Sequence, residues 1–163
     1  NPQFQVQLGE TRTQGGEVDV RGRLAPGLQV VANYAYTDSE VTEDTDPNKE
    51  GDHMSGTAKH TTNSWISYRV QEGSAEGLGL SLGHRWQVDR YAWVFTGGQQ
   101  PLPDYFRLDG GLSWRGENVE IALKVNNLLD EYLFSGRYYT FGDYYYWKSE
   151  APRNFRLRIG YSF

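Results

Sequence analysis

Strict alternation of apolar and polar residues, repeated in segment after segment, is the feature that most constrains this chain. At the C-terminus Phe155, Leu157, Ile159, Tyr161 and Phe163 interleave with Asn154, Arg156, Arg158, Gly160 and Ser162. Successive side chains of a β-strand point to opposite faces, so this spacing sets an apolar stripe against a polar one. A single strand of this kind suits a soluble sandwich as well as a wall between lipid and water. The pattern recurs, however. Val18, Val20, Gly22 and Leu24 oppose Glu17, Asp19, Arg21 and Arg23. Leu28, Val30, Ala32, Tyr34 and Tyr36 oppose Gln29, Val31, Asn33, Ala35 and Thr37. Ser64, Ile66, Tyr68 and Val70 form a weaker stripe against Trp65, Ser67 and Arg69. Leu78, Leu80, Leu82, His84 and Trp86 oppose Gly79, Ser81, Gly83 and Arg85. Phe106 to Trp114 and Val119 to Val125 repeat the theme, with Arg107, Asp109, Arg115, Glu120 and Lys124 on their polar faces. The spacing predicts seven strands with no helix-period segment between them.

The connections fall into two classes that alternate along the chain. Ala25-Pro26-Gly27, Gln71 to Glu76 and Gly116-Glu117-Asn118 are short. Asp38 to Lys59, Thr96 to Pro103 and Ser135 to Pro152 are long, and are predicted as loops. Short connections on one side and long ones on the other mark an up-and-down transmembrane barrel, with periplasmic turns and extracellular loops. Phe163 is then periplasmic. The aromatics agree: Tyr68, Trp114, Tyr161 and Phe163 sit on lipid faces toward the turns, and Tyr34, Tyr36, Trp86, Phe106 and Phe155 toward the loops. Amphipathic rings favour these two interfaces.

Composition sharpens the choice. Tyr, Trp and Gly are abundant, at 12, 5 and 19 residues, which suits strands shared between lipid and water better than a helical domain. No stretch approaches the roughly 18 apolar residues of a membrane helix, but a spanning strand needs only about 9–11 with every second one apolar. The formal charge of −5 argues against a nucleic-acid partner. With no cysteine, neither a disulfide nor a thiolate metal site is available. The chain has no start Met and no signal peptide, so it reads as processed or truncated.

Five stretches resemble TonB-dependent outer-membrane receptors, and the siderophore branch is the closest likeness. Val125 to Tyr132, VNNLLDEY, looks like the strand-to-loop motif near the end of that family. Pro152 to Phe163, PRNFRLRIGYSF, looks like its final strand with the terminal aromatic. Leu102 to Arg115, Gly77 to Tyr91 and Gly9 to Leu24 resemble earlier strands, in the same order. The resemblance implies an all-β, antiparallel barrel of roughly 22 strands filled by an N-terminal plug. Residues 1–163 would be the C-terminal portion of that barrel, with the plug absent from this chain. It further implies a multi-pass protein of the bacterial outer membrane that binds and imports a ferric siderophore, with no enzymatic activity. The implied partners are outer-membrane lipid, the protein's own plug, the TonB complex through an N-terminal segment missing here, and the barrel-insertion machinery. Tyr161 and Phe163 resemble the C-terminal assembly signal read by that machinery. No covalently bound cofactor is implied.

Function in such a receptor means capture outside and passage through the lumen, so loop and lumen residues are the candidates. Ser135 to Pro152 holds Arg137, Tyr138, Tyr139, Tyr144, Tyr145, Tyr146 and Trp147. Ring faces can cover the organic shell of a ferric chelate while Arg137 meets its oxygens; the bland reading is a loop packed on its neighbours or on the interface. Tyr91 and Trp93 share the lumen parity of Arg85 and are second candidates. Glu17, Arg156 and Arg158 are expected to contact the plug. The acidic run Asp38 to Asp52 reads as a solvated mobile loop rather than a Ca²⁺ site, and as unfavourable to a strongly anionic ligand. His53 and His60 fit no tight metal site; His84 reads as an interfacial residue. The rival readings are a small stand-alone outer-membrane barrel acting as anchor or adhesin, an outer-membrane hydrolase and a soluble carbohydrate-binding sandwich. The hydrolase lacks a matching Ser and Asp pattern around its three His.

Overall fold

The computed structural model describes residues 9–94, 98–135 and 148–163, with side chains left aside at 93–94, 98–100 and 135. Its strands are β1 Gly9–Ala25, β2 Leu28–Asp44, β3 Ala58–Arg69, β4 Leu78–Val94, β5 Gly98–Leu102, β6 Tyr105–Arg115, β7 Val119–Asn126, β8 Phe134–Ser135, β9 Lys148–Ser149 and β10 Asn154–Tyr161. One sheet runs β1-β2-β3-β4-β6-β7-β10, every pair antiparallel, and β5 pairs with the upper part of β4. These are the seven predicted strands in sequence order. The sheet is open, as a piece of barrel wall must be. β8 and β9 form a separate two-stranded ribbon.

Register carries the apolar stripes into one continuous belt. Leu28 faces Tyr68, Tyr68 faces Leu80, Leu80 faces Leu112, Leu112 faces Leu123 and Leu123 faces Leu157. A second row, nearer the loops, runs Val18, Tyr34, Thr62, Trp86 and Phe106. No second layer covers this face among the described residues. Leu157 and Ile159 are 63% and 67% exposed, and Leu80 65%. A soluble sandwich would bury those residues, so an unpaired apolar face of this size identifies a lipid-facing surface.

Turn chemistry sets the periplasmic end. Pro26 and Gly27 link β1 to β2, and Gly27 has φ +76°, the proline-then-left-handed pattern of a type II turn. A Cβ on Gly27 would stand 2.2 Å from the Arg69 carbonyl oxygen, because adjacent turns touch. Arg69 N–H donates to the Gly27 oxygen at 2.9 Å and Arg115 N–H to the Gly77 oxygen at 3.1 Å, so the turns form a laced rim.

Two expectations are corrected at the other end. β1, β2 and β4 are 17 residues each, about six more than a tilted strand needs to cross a bilayer. Since their turns are tight, the excess stands above the membrane on the loop side. Asp38 to Asp44, expected in a mobile loop, is therefore the upper part of β2. Its carboxylates pair instead of repelling: Asp38 with Lys59 at 3.5 Å, Asp44 with Lys49 at 3.6 Å, and Glu40 with Arg12. Likewise Gly98 to Leu102, expected in a loop, is β5. It keeps the register of β6 against β4, so the two are one strand interrupted at Pro103-Asp104. Proline lacks the N–H that a ladder needs.

Opposite that break, Asp89 has φ +53°, and the alternation of β4 slips by one. Arg90 and Ala92 are buried, at 7% and 0% exposure. Together with Val41, Leu102, Tyr105 and Leu133 they make a small core at the loop end. The wall needs no core of its own, because lipid covers one face and the lumen contents the other.

Candidate functional site

The polar face of the sheet and the packed cluster at its upper end form the candidate site. In the lumen-facing rows, Asp19 is paired across strands with Asn33, Asn33 with Asn63, Asn63 with Arg85 and Arg85 with Arg107. Asn33 Oδ1 accepts from the backbone and side-chain nitrogens of Asn63 at 3.1 and 2.9 Å. Arg107 reaches Asp109 at 3.2 Å and Glu150 at 3.5 Å.

Above this ladder, three distant stretches meet on Tyr105, which is 2% exposed. Its hydroxyl donates to Glu150 Oε2 at 2.7 Å, and the guanidiniums of Arg85 and Arg90 stand 5.7 and 5.4 Å from its ring centre. Such cation–ring contacts strengthen when water is excluded. Arg90 also donates to the Pro103 and Phe134 carbonyl oxygens at 3.0 and 2.8 Å. Glu150 N–H donates to the Leu133 oxygen at 2.8 Å. The cluster thus fixes both stems of the aromatic segment, Leu133–Phe134 on one side and Glu150 on the other, to β4 and β6. Residue-by-residue reading missed Arg90, Tyr105 and Glu150, since each looks like an ordinary polar or interfacial residue. The one available signal was the Pro103-Asp104 interruption, which hints at a packed corner.

The VNNLLDEY stretch folds into a joint. Asn127 and Asp130 both have φ +56°, a conformation that Asn and Asp tolerate better than most residues. Asn127, 1% exposed, donates its backbone N–H to Asp109 Oδ1 at 2.9 Å. Its side chain brackets Glu131, donating to the Glu131 carbonyl oxygen at 2.9 Å and accepting from the Glu131 N–H at 3.1 Å. Asp130 accepts from the Arg153 backbone N–H at 2.8 Å and from its guanidinium at 3.1 Å. The N–H of Arg153, then its charge, hold the Asp130 carboxyl below the usual carboxylate range. The two motifs at the chain's end are therefore one structural unit.

The expected site residues fall as follows. Arg137, Tyr138, Tyr139, Tyr144, Tyr145, Tyr146 and Trp147 lie outside the described residues, as does the side chain of Trp93. Tyr91 is displaced from the lumen parity expected of it. Past the slip at Asp89 its ring stacks on His53 at 4.7 Å. His53 lies 3.9 Å from Asp38, beside Lys59 and Tyr36 on the outer face. Glu17 stands opposite Ala35, Arg156 opposite Lys124 and Arg158 opposite Ala122, all on the polar face. Among the described residues these three enter no ion pair. Tyr161 and Phe163 meet edge-to-face at 5.1 Å, with Ser162 N–H bonded to the Asn118 oxygen at 2.9 Å. On the outer face His84 accepts or donates at both ring nitrogens, to Ser64 at 2.7 Å and Thr62 at 3.1 Å, which satisfies an imidazole at the interface.

An antiparallel wall with one apolar and one polar face, short turns at one end and packed loops at the other defines a transmembrane β-barrel. The family model "TonB dependent receptor-like, beta-barrel" matches residues 1–128. The chain belongs to that family, whose barrels lie in the bacterial outer membrane. It is similar to the ferrichrome outer membrane transporter/phage receptor of Escherichia coli K12, at 33% identity over 85% of the chain and 19% of the relative. It is similar to the ferric-pyoverdine receptor PbuA of Pseudomonas sp. M114, at 29% over 94% of the chain and 18% of the relative. The crystal structure of the ferric yersiniabactin uptake receptor FyuA from Yersinia pestis superposes with a TM-score of 0.82 at 21% identity, over 96% of the chain and 24% of that structure. The chain spans about a fifth of the length of these relatives.

Proposed function

We propose that this chain is the C-terminal wall of an outer-membrane receptor that takes up a ferric siderophore in a TonB-dependent manner. The carrying observation is the family match over residues 1–128 on a wall whose faces divide cleanly into apolar and charged. The relatives named for ferrichrome and for ferric pyoverdine support the ligand class. No bond of the ligand is made or broken in this reading; the chemistry is capture, release and passage. The whole receptor would carry a plug and a TonB-contacting segment in its remaining length, with Glu17, Arg156 and Arg158 offered to the plug from the lumen face.

Capture is assigned to the aromatic segment, with Arg137, Tyr138, Tyr139, Tyr144, Tyr145, Tyr146 and Trp147 as contacts and Trp93 at its flank. Rings offer large surfaces with few rotors, so ordering them costs little. The cluster of Arg90, Tyr105, Arg107 and Glu150 fixes the stems of this segment, which preorganises whatever the segment binds. With the acids of β2 at the same end, a neutral chelate fits better than a strongly anionic one. The test is direct binding to the purified full-length receptor of a panel of ferric hydroxamates and catecholates. Replacing Tyr144, Tyr145, Tyr146 and Trp147 together with Ala weakens binding at least tenfold, about 1.4 kcal/mol, and leaves outer-membrane insertion intact. Unchanged affinity for the transported ligand would place capture elsewhere.

A further inference from the structure

A spanning strand needs about 11 residues, so β4, which starts at Leu78, leaves the membrane on the loop side at the slip of Asp89. A residue other than glycine at positive φ inside a strand persists only where its surroundings hold it. Arg90 depends on that hold. With the parity of the lower part of β4 its side chain would point outward. It would then miss the Tyr105 ring and the Pro103 and Phe134 carbonyl oxygens that it meets. The slip therefore governs the fastening of the Leu133–Phe134 stem.

Two imidazoles flank the slip on the outer face. His60 stands opposite Tyr36 on β2 and Val88 on β4, on the loop side of the row that joins Tyr34, Thr62 and Trp86. Its Nδ1 meets Tyr34 Oη at 2.9 Å, and its Nε2 lies 3.8 Å from Asp89 Oδ2. The Tyr34 and Tyr36 rings lie 6.1 and 5.3 Å from its own. His53 stacks on Tyr91 at 4.7 Å and lies 3.9 Å from Asp38. Gly56 N–H donates to the Tyr91 oxygen at 2.9 Å, which ties the segment carrying His53 to β4 just past the slip. Charged groups face this pair of rings from each neighbouring element: Arg12 from β1, Asp38 and Glu40 from β2, Lys59 from β3 and Asp89 from β4, with Asp52 beside His53 in the chain. Lys59 pairs with Asp38 at 3.5 Å and Arg12 with Glu40. Asp89 has no permanent cation: among the described residues its one ion pair is with His60.

We propose that the slip at Asp89 is a proton-sensitive clamp, tightened when His60 takes up a proton and seconded by His53 on Asp38. A neutral imidazole carries one N–H, whereas the charged ring carries an N–H on both nitrogens. Charged His60 can donate to Tyr34 from Nδ1 while its charge draws Asp89 toward Nε2. At 3.8 Å that contact is coulombic, so it follows the charge of the ring. The left-handed Asp89 is then pinned to β3, and Arg90 is held on the inner side. Acid outside the cell thus steadies the stem, and neutral pH frees it. Exposed ion pairs are weak and are screened by solvent, so the device tunes the stem by about twofold to fivefold. It goes beyond the transport reading and needs only the wall and its orientation.

The experiment is amide exchange on the full-length receptor in bilayers, at about pH 5.5 and about pH 8, a window in which imidazoles are the side chains that change charge. Rates are corrected for the intrinsic pH dependence of exchange, and gel mobility checks that each variant is folded. Protection at Asp89 to Ala92 is expected to be at least twofold greater at the lower pH. H60Q keeps a partner for Tyr34 and removes the charge; D89N keeps a residue that tolerates positive φ and removes the carboxylate. Each is expected to abolish the difference, and either one that folds suffices for the test. H84Q, at the histidine on the lipid face, is expected to keep it. Equal protection at the two pH values in the unmodified receptor, greater protection at the higher pH, a difference that survives H60Q or D89N, or one lost in H84Q would each overturn the proposal.

Discussion

Leu157→Arg is the most informative single change in the wall. Leu157 faces outward, 63% exposed, opposite Leu123. It lies six residues from Phe163. At about 3.3 Å per residue and a tilt near 45°, that places it about 14 Å above the periplasmic end, close to the middle of a band about 25 Å tall. Leucine itself contributes about 1.5–3 kcal/mol when fully withdrawn from water. With roughly two-thirds of its surface offered to lipid, about 1–2 kcal/mol is lost on replacement, and a buried guanidinium adds the cost of charge. The expected total is about 2–4 kcal/mol, the range for a cation at the midplane. Leu78→Arg is the control. It sits on the same face but level with Trp114 at the turn end, where the cost falls to about 0–1 kcal/mol. The assay is urea titration of the full-length receptor refolded into bilayers, read by gel mobility of folded and unfolded forms. Equal costs at the two positions, or a cost at Leu157 below 1 kcal/mol, would refute the assignment of this face to lipid.

Two further outcomes follow from the ends of the wall. Asp130 is held below the usual carboxylate range in the folded state, so its contribution is present in full above the unfolded value, near 3.8, and is lost as pH falls through the lower folded value. Amide exchange at Asn127 to Leu133 should therefore quicken on acidification below about pH 4, and Asp130→Asn should show fast exchange already at neutral pH; slow exchange in that variant would show that the Arg153 contact is dispensable. Deleting Phe163 should lower the amount of receptor in the outer membrane by more than the loss of one girdle ring explains, and equal levels would leave Phe163 with a girdle role worth about 1–3 kcal/mol.

The two faces were legible from sequence because lipid and water select side chains at every second position, and the structure keeps that parity from Val18 through Tyr161 wherever the strands cross the membrane. Strand length was not legible. Thr11 to Gly16 and Thr37 to Asp44 carry no apolar stripe, since both faces there meet water or packed loops. Their pairing rests on the ladder itself and on contacts such as Thr13 Oγ1 with Ser39 Oγ at 2.7 Å. The misplacement of Tyr91 has a single cause. Alternation assumes a regular strand, and one left-handed residue, Asp89, turns Arg90, Tyr91 and Ala92 to the faces opposite those expected. The joint of Asn127, Asp130 and Arg153 was visible as two motifs, but nothing in linear spacing says that a carboxylate in one caps the first residues of the other. The stem cluster was hidden for the same reason: Arg90, Tyr105 and Glu150 come from three segments, and only folding brings Arg90 and Glu150 within 6 Å of Tyr105.

Energised uptake in living cells tests TonB-dependent transport directly. Cells lacking their other ferric-siderophore receptors and carrying the full-length protein are supplied with radio-iron loaded on a panel of hydroxamate and catecholate siderophores. Saturable accumulation from at least one of these chelates is expected, abolished when TonB is absent while surface binding persists. Accumulation that is independent of TonB, or no accumulation from any ferric siderophore by a receptor shown to be folded in the outer membrane, would contradict it.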